Sequence, residues 1–104
     1  MSYNQDEFEI LRKIKKNPMA SQRKLAIELG FSLGKLNYCI KALQKKGLVK
    51  AENFKKNQKK INYFYILTPN GLATKTRLTL NFMKKKMQEY DELKSEINLR
   101  KWKI

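Results

Sequence analysis

The chain contains no histidine and a single cysteine, Cys39, among its 104 residues. The lack of histidine excludes Ser-His-Asp and Cys-His catalysis, and also metal sites built on imidazole. One cysteine cannot form an internal disulfide, and an unpaired thiol is typical of a reducing compartment. The sequence also has no nucleophile–base pair and no glycine-rich phosphate loop, so we expect neither an enzyme nor a bound cofactor.

Long apolar runs are also missing. The longest one, Tyr63–Leu67, is far shorter than the ~20 residues that a membrane-spanning helix needs. The first ten residues, MSYNQDEFEI, are acidic where a signal peptide would be basic and apolar. We therefore expect a cytoplasmic protein that does not enter a membrane.

Acidic residues are few: 9 Asp and Glu oppose 24 Lys and Arg, which gives a formal net charge of +15. An excess of this size is useful to a protein with a polyanionic partner, and nucleic acid is the commonest such partner. The length allows one domain with a modest core.

Two short helices joined by a tight turn are predicted between Ser21 and Lys46. Ser21 and Ser32 have the chemistry of N-caps, while Gly30 and Gly47 can end each helix in the left-handed conformation. The first helix has an apolar face of Leu25, Ala26 and Leu29, with Ile27 beside it. The second has a buried stripe of Leu36, Cys39, Ile40 and Leu43, with Leu33 at its start. This arrangement is a helix-turn-helix, whose second helix enters the major groove of DNA.

The flanking segments predict one more helix and a β-hairpin. Asn4 can cap a helix from about Gln5 to Lys16, which Asn17-Pro18 ends. After Gly47, Leu48–Phe54 and Ile61–Leu67 have the composition of strands, and the lysine-rich Lys55–Lys60 lies between them. A hairpin with a basic loop directly after a helix-turn-helix is a wing, although a solvated surface hairpin is the plainer alternative.

The last predicted element is a long helix. Thr68 can cap it, Pro69 suits its first position, and nothing interrupts it until about Arg100. Apolar residues recur along one side and would pack against another helix, most simply that of a second copy. The predicted dimerisation residues are Leu80, Met83, Met87, Tyr90, Leu93 and Ile97. Packing of this helix on its own domain is the alternative, and the sequence does not place Trp102.

The stretch SQRKLAIELGFSLGKLNYCIKALQKKGLV (Ser21–Val49), followed by YILTPNGLATK (Tyr65–Lys75), resembles the winged-helix MarR-type transcriptional regulators. The first segment is most similar to the small regulators encoded beside bacterial exopolysaccharide genes. The resemblance implies a mainly α fold with a small β-hairpin. The resemblance covers about Asp6 to Ile97. The elements predicted above place a winged helix-turn-helix in residues 1–67 and a long C-terminal dimerisation helix in residues 68–104. The resemblance also implies a homodimer that binds double-stranded DNA and controls transcription, with its recognition helix in the major groove.

This chain differs from that family in two respects. Typical members are about a third longer and bring helices from both ends into the dimer, so we do not expect the family's usual ligand pocket here. The family's wing commonly has an arginine that reaches the minor groove. No arginine lies between Arg23 and Arg77, which leaves that contact to lysines, Asn57 or Gln58.

Three groups of side chains are predicted to contact DNA. Residues that project from the second helix of the helix-turn-helix can hydrogen-bond to base edges or phosphates. The first turn of the preceding helix combines positive charge with a helix N-terminus. The wing adds lysines. In that order the groups are Ser32, Lys35, Asn37, Tyr38 and Lys41; Ser21, Gln22, Arg23 and Lys24; and Lys55, Lys56, Asn57, Lys59 and Lys60.

Two other functions fit parts of the same sequence. An RNA- or ribosome-associated winged-helix module would also be basic, although the narrow major groove of A-form RNA excludes a recognition helix. A protein-interaction adaptor would use the C-terminal helix to bind a different protein. Cys39 could also be an oxidant sensor, but its spacing places it on the buried side of its helix, where cysteine usually acts as a small hydrophobe.

Overall fold

The computed structural model describes residues 4–57 and 60–98. Three helices are followed by a two-stranded antiparallel hairpin and one long helix. The elements are α1 (Gln5–Lys16), α2 (Gln22–Leu29), α3 (Leu33–Lys45), β1 (Val49–Asn57), β2 (Lys60–Leu67) and α4 (Pro69–Asn98). This is the predicted mainly α fold with a winged helix-turn-helix and a long C-terminal helix.

The helix ends are set by local side-chain chemistry. Asn4 Oδ1 accepts a hydrogen bond from the Glu7 backbone N–H at 2.7 Å, and the Ser21 and Ser32 hydroxyls accept from the backbone three residues on at 3.1 and 3.0 Å. Each bond satisfies an N–H that has no partner within its own helix. Gly30 ends α2 with φ 73°, a conformation that residues with a Cβ rarely adopt. The predicted N-caps and the turn between α2 and α3 are confirmed.

The core lies where the three short helices meet the start of the hairpin and of α4. Its fully buried side chains are Ile10, Leu11, Ile14, Leu25, Leu36, Ile40 and Leu43. Two apolar residues predicted near this core are exposed: Leu33 is 44% accessible and Ile27 is 74% accessible. Leu33 begins α3 and Ile27 projects from the outer side of α2, so neither faces the other helices.

The hairpin is longer and its connection shorter than predicted. Its backbone pairing runs from Val49 opposite Leu67 to Asn57 opposite Lys60, with an irregularity between Lys55 and Asn57. Most of the predicted Lys55–Lys60 loop is therefore strand. Lysine has a low β propensity, but pairing with the β-rich segment Ile61–Leu67 provides the ladder that extends β1.

The long helix begins at a joint with the end of α3. Thr68 Oγ1 accepts from the Gly71 N–H at 3.0 Å and donates to the Gly47 carbonyl oxygen at 2.6 Å. The Thr68 N–H donates to the Leu48 carbonyl oxygen at 3.0 Å. The start of α4 is thus fixed to the residues that end α3, and its direction follows from that joint.

Only the first half of α4 packs on the core. Leu78 is buried with the core residues, and the Phe82 ring stacks on Phe8 with centroids 4.6 Å apart. Beyond Met83 every described residue of α4 up to Ile97 is exposed. None of the helices in the described part of the chain is both long and apolar enough to cross a membrane.

Candidate nucleic-acid interface

The outer face of α3 is exposed. Successive residues of an α-helix are ~100° apart, so Tyr38 and Lys41 lie opposite the buried stripe of Leu36, Ile40 and Leu43. Tyr38 is 77% accessible although it is a large aromatic residue, and Lys41 is exposed. A phenol and an ammonium group projecting together offer hydrogen-bond donors and an apolar ring to a partner.

Lys35 and Asn37, two other predicted base-contacting residues, lie on opposite flanks of that face. They are ~160° apart around the helix, so they cannot both reach the same point of a groove. Asn37 is partly buried. Lys35 turns toward α1: its Nζ is 3.1 Å from Asp6 Oδ2 and 4.2 Å from the centre of the Phe31 ring.

The residues predicted to bind phosphate surround the N-terminus of α2. Arg23 and Lys24 are exposed there. Gln22 is partly buried, and its Oε1 accepts a hydrogen bond from the Tyr65 hydroxyl of β2 at 3.4 Å. Burial raises the pKa of Tyr65, so this hydroxyl keeps its proton at neutral pH. The Ser21 and Ser32 hydroxyls accept backbone hydrogen bonds as caps, and each keeps its own O–H proton to donate.

Of the predicted wing residues, Lys55, Lys56, Asn57 and Lys60 belong to the two strands. Their side chains lie outside the described part of the structure, as does the whole of Lys59. Their contacts with DNA therefore remain a prediction.

Cys39 is buried among the core residues, as predicted from its spacing. Its pKa is raised by burial and, to a smaller extent, by the nearby carboxylates of Asp6 and Glu7. Both effects disfavour the thiolate, which is the reactive form. Cys39 is thus a core residue of α3 rather than an exposed thiol.

The acidic first turn of α1 contacts α3, and these contacts were not predicted from the sequence. Asp6 contacts Lys35, and Glu7, only 7% accessible, accepts a hydrogen bond from Lys46 Nζ at 2.7 Å. These two contacts join α1 to both ends of α3. Because acidic residues are scarce in this chain, Asp6 and Glu7 could have been singled out as partners for lysines. No local sequence pattern, however, predicts that the start of α1 lies beside α3.

The described residues do not meet the requirements of a metal site, and one groove lies on the surface between α1 and α4. The described residues contain no group of three or more Cys, Asp or Glu side chains placed to hold a metal ion. A groove of about 410 Å³ lies between α1 and α4, lined by Phe8, Arg12, Phe82 and Met83 among others. It opens beside the exposed half of α4, so anything that packs on that half would also cover the groove.

Comparison with known proteins agrees with this fold. Residues 7–50 match the family model described as "Winged helix-turn-helix DNA-binding". This match spans α1 to the start of β1 and includes the whole α2–α3 pair. No curated protein sequence matches the chain.

Several solved structures share the fold at low sequence identity. The zinc-responsive MarR family member ZitR of Lactococcus lactis superposes with a TM-score of 0.69 and 18% identity over 92% of this chain and 64% of ZitR. The PcaV transcriptional regulator of Streptomyces coelicolor gives 0.74 and 17% over 93% of this chain and 71% of PcaV. FabT of Streptococcus pneumoniae, solved in complex with DNA, gives 0.68 and 20% over 88% of this chain and 62% of FabT. At these identities the likeness establishes the fold, and this chain is shorter than each of the three.

Proposed function

We propose that the protein is a sequence-specific, double-stranded DNA-binding regulator of transcription that acts as a homodimer in the cytoplasm. The observation on which this rests is the exposed face of α3, where Tyr38 and Lys41 project from a helix held by a glycine turn. A helix presented in this way fits the major groove, which is wide enough to admit it. The net charge of +15 supplies the attraction to the phosphate backbone.

The roles of individual residues follow from their positions. Tyr38 and Lys41, at the centre of the face, contact base edges or thymine methyl groups. Asn37 and Lys35 reach the groove edges, and Ser32 donates to a phosphate. Arg23 and Lys24, with Ser21 and Gln22, anchor the backbone at the N-terminus of α2. The wing contributes Lys55, Lys56, Asn57, Lys59 and Lys60.

Dimerisation is proposed because α4 exposes apolar side chains from Leu80 onward. Leu80, Met83, Met87, Tyr90 and Leu93 are each more than half accessible. Soluble proteins rarely leave a continuous stripe of this kind uncovered. Two structures with the same fold, FabT and a ZitR variant, were solved in complex with DNA, which supports the DNA-binding part of the proposal. Membership of the exopolysaccharide-associated subgroup remains a prediction.

The proposal is tested by selecting binding sites from random duplex DNA and measuring affinity as a function of salt. We expect a palindrome with half-sites ~10 bp apart or a small multiple of that spacing. If about ten phosphates are contacted, log K falls with log salt at a slope near −9. A slope shallower than about −3, or equal competition by structured RNA, would contradict the proposal; the second result would favour an RNA-binding module.

The selected site also allows a matched pair of variants. Lys41→Ala removes a charge from the centre of the α3 face, while Lys15→Ala removes one from the exposed side of α1. A base contact contributes ~1–3 kcal/mol, so Lys41→Ala should weaken binding to the site by roughly 5- to 150-fold. Lys15→Ala should change the affinity by no more than about twofold. Equal losses in both variants would show that the protein senses only total charge.

Asp6 should weaken DNA binding in the wild-type protein. Its carboxylate holds Lys35 at 3.1 Å, and both side chains are about half exposed. Asp6→Asn removes this competitor for Lys35 and a negative charge beside the proposed interface. An exposed ion pair is worth at most ~1 kcal/mol, so we expect affinity for non-specific duplex DNA to rise by up to about fivefold. Fluorescence anisotropy with a random duplex measures it.

The control for Asp6→Asn is Glu9→Gln. Glu9 also lies on α1 and forms an ion pair, with Arg12 at 2.9 Å, away from α3. Glu9→Gln changes the net charge by the same amount as Asp6→Asn but leaves the Asp6–Lys35 ion pair in place, so its effect on affinity should be small. If both variants bind DNA equally well, Asp6 has no specific part in the interface.

A further inference from the structure

The exposed residues of α4 follow a regular spacing. Leu80, Met83, Met87, Tyr90 and Ile97 are separated by alternating steps of three and four residues, with Lys94 filling the one gap. These six positions are called the apolar seam below. All five apolar members are between 38% and 63% accessible. The spacing is that of the core positions of a coiled coil, so the seam fits another helix.

The charges along this part of α4 are unevenly distributed, and Lys94 is the only basic residue between Glu89 and Ile97. Lys84, Lys85 and Lys86 lie on one side of the midpoint, whereas Glu89, Asp91, Glu92 and Glu96 lie on the other. The second group holds four of the nine acidic residues of the whole chain. Two antiparallel helices would place the lysine-rich segment of each beside the acidic segment of the other, whereas parallel helices would place like segments level with each other.

We infer that two copies of the chain pair antiparallel through the apolar seam, crossing between Gln88 and Glu89, with Lys84 of each copy beside the partner's Asp91. This inference rests on the proposed homodimer and specifies its geometry. The partner is a second copy of this chain, because the lysine-rich segment of one α4 would lie beside the acidic segment of another α4 that runs in the opposite direction.

In one antiparallel register the seam positions of the two helices face each other and Lys84 also lies beside the partner's Asp91. This register places Leu80 against the partner's Ile97 and Met87 against the partner's Tyr90. Lys94 then lies against the partner's Met83, where its aliphatic stem covers the thioether and its ammonium group reaches water. In a parallel pair Lys94 would meet the partner's Lys94 inside the seam, which is unfavourable.

The position of Lys84 and Asp91 on α4 supports this register. Both line the same shallow groove beside Met87 in the described structure. They therefore flank the seam on one side, at positions that face each other across an antiparallel pair. Each dimer would contain two such ion pairs related by symmetry.

The inferred pairing also positions the DNA-binding domains. Leu78, where α4 packs on the core, is about ten residues from the crossing point, or about 16 Å at 1.5 Å per residue. The two packing points would lie about 32 Å apart along the helix pair. This separation is close to the ~34 Å between half-sites one helical turn apart. A parallel pair would place both domains at the same end.

Cysteine cross-linking of full-length protein distinguishes the two directions. Leu80→Cys and Ile97→Cys variants are mixed, oxidised and run on a non-reducing gel. We expect a disulfide between Leu80→Cys and Ile97→Cys chains, and none between two Leu80→Cys chains, because the two positions would be about 26 Å apart. The wild-type protein is the blank, since Cys39 is buried. Efficient cross-linking of Leu80→Cys to itself would overturn the register.

Charge reversal provides the second test. Lys84→Glu or Asp91→Lys alone turns two attractive pairs into two repulsive ones, and each should raise the dimer dissociation constant by roughly tenfold in sedimentation equilibrium. Combining them should restore most of the affinity. Additive weakening would overturn the pairing of Lys84 with the partner's Asp91. A wild-type protein that stays monomeric would instead overturn the homodimer itself, whereas a dimer that fails these tests loses only the register.

Discussion

Gly71→Ala is expected to destabilise the protein by about 2–4 kcal/mol. Gly71 is buried in the first turn of α4, and a Cβ added there would overlap the Leu48 carbonyl oxygen and lie 3.0 Å from its carbon. The obstacle is backbone, which cannot rotate away as a flexible side chain would. The same carbonyl oxygen accepts from the Thr68 N–H, so moving it also disturbs the joint between α3 and α4. Thermal unfolding at a fixed protein concentration should show a Tm lower by roughly 10–25 °C.

Gly34→Ala is the matched control for this effect. Gly34 lies in the first turn of α3, and a Cβ added there would meet nothing within 4 Å. Alanine is favoured over glycine within a helix by up to ~1 kcal/mol, so this variant should unfold at the same or a higher temperature. If Gly71→Ala were as stable as Gly34→Ala, the close packing of α4 on Leu48 would be wrong.

The parts of the fold that were predicted correctly depend on short-range chemistry. Asn4, Ser21 and Ser32 cap helices because their side-chain oxygens reach an N–H three residues away. Gly30 ends α2 because it adopts a left-handed conformation without strain. The spacing of Leu36 and Ile40 within α3 is enough to identify the buried side of that helix. Each of these signals is complete within one helix.

The features that were not predicted depend on contacts between distant segments. The extension of β1 into the lysine-rich stretch follows from its pairing with β2, which the composition of β1 does not reveal. The contact of Asp6 with Lys35 requires α1 to cross the start of α3, and no periodicity encodes that crossing. The candidate interface was therefore predicted as a set of outward residues, whereas the contact of Lys35 with Asp6 and the partial burial of Asn37 came from the structure.

The second large effect is expected from Lys46→Met, which should destabilise the protein by about 2–3 kcal/mol. Lys46 Nζ donates to Glu7 Oε2 at 2.7 Å, and the accessibilities of the two side chains are 23% and 9%. Removing one member of a largely buried ion pair costs ~3–5 kcal/mol, and partial exposure of Lys46 lowers that figure. Glu7→Gln/Lys46→Met should recover part of the loss, since it replaces the buried carboxylate with a neutral amide. Urea unfolding of both single variants and the double variant gives the coupling energy.

Lys13→Met is the control for the Lys46→Met experiment, because it also removes a lysine from an ion pair between elements. Its Nζ is 3.9 Å from Glu28, and both side chains are 30% accessible, so the pair is longer and better solvated. We expect a loss below about 1 kcal/mol. The comparison matters for function because the Glu7–Lys46 contact fixes the C-terminal end of α3 to α1, close to the joint at which α4 begins. A Lys46→Met loss no larger than that of Lys13→Met would mean that the backbone contacts of Gly47 and Leu48 position this end of α3 without the ion pair.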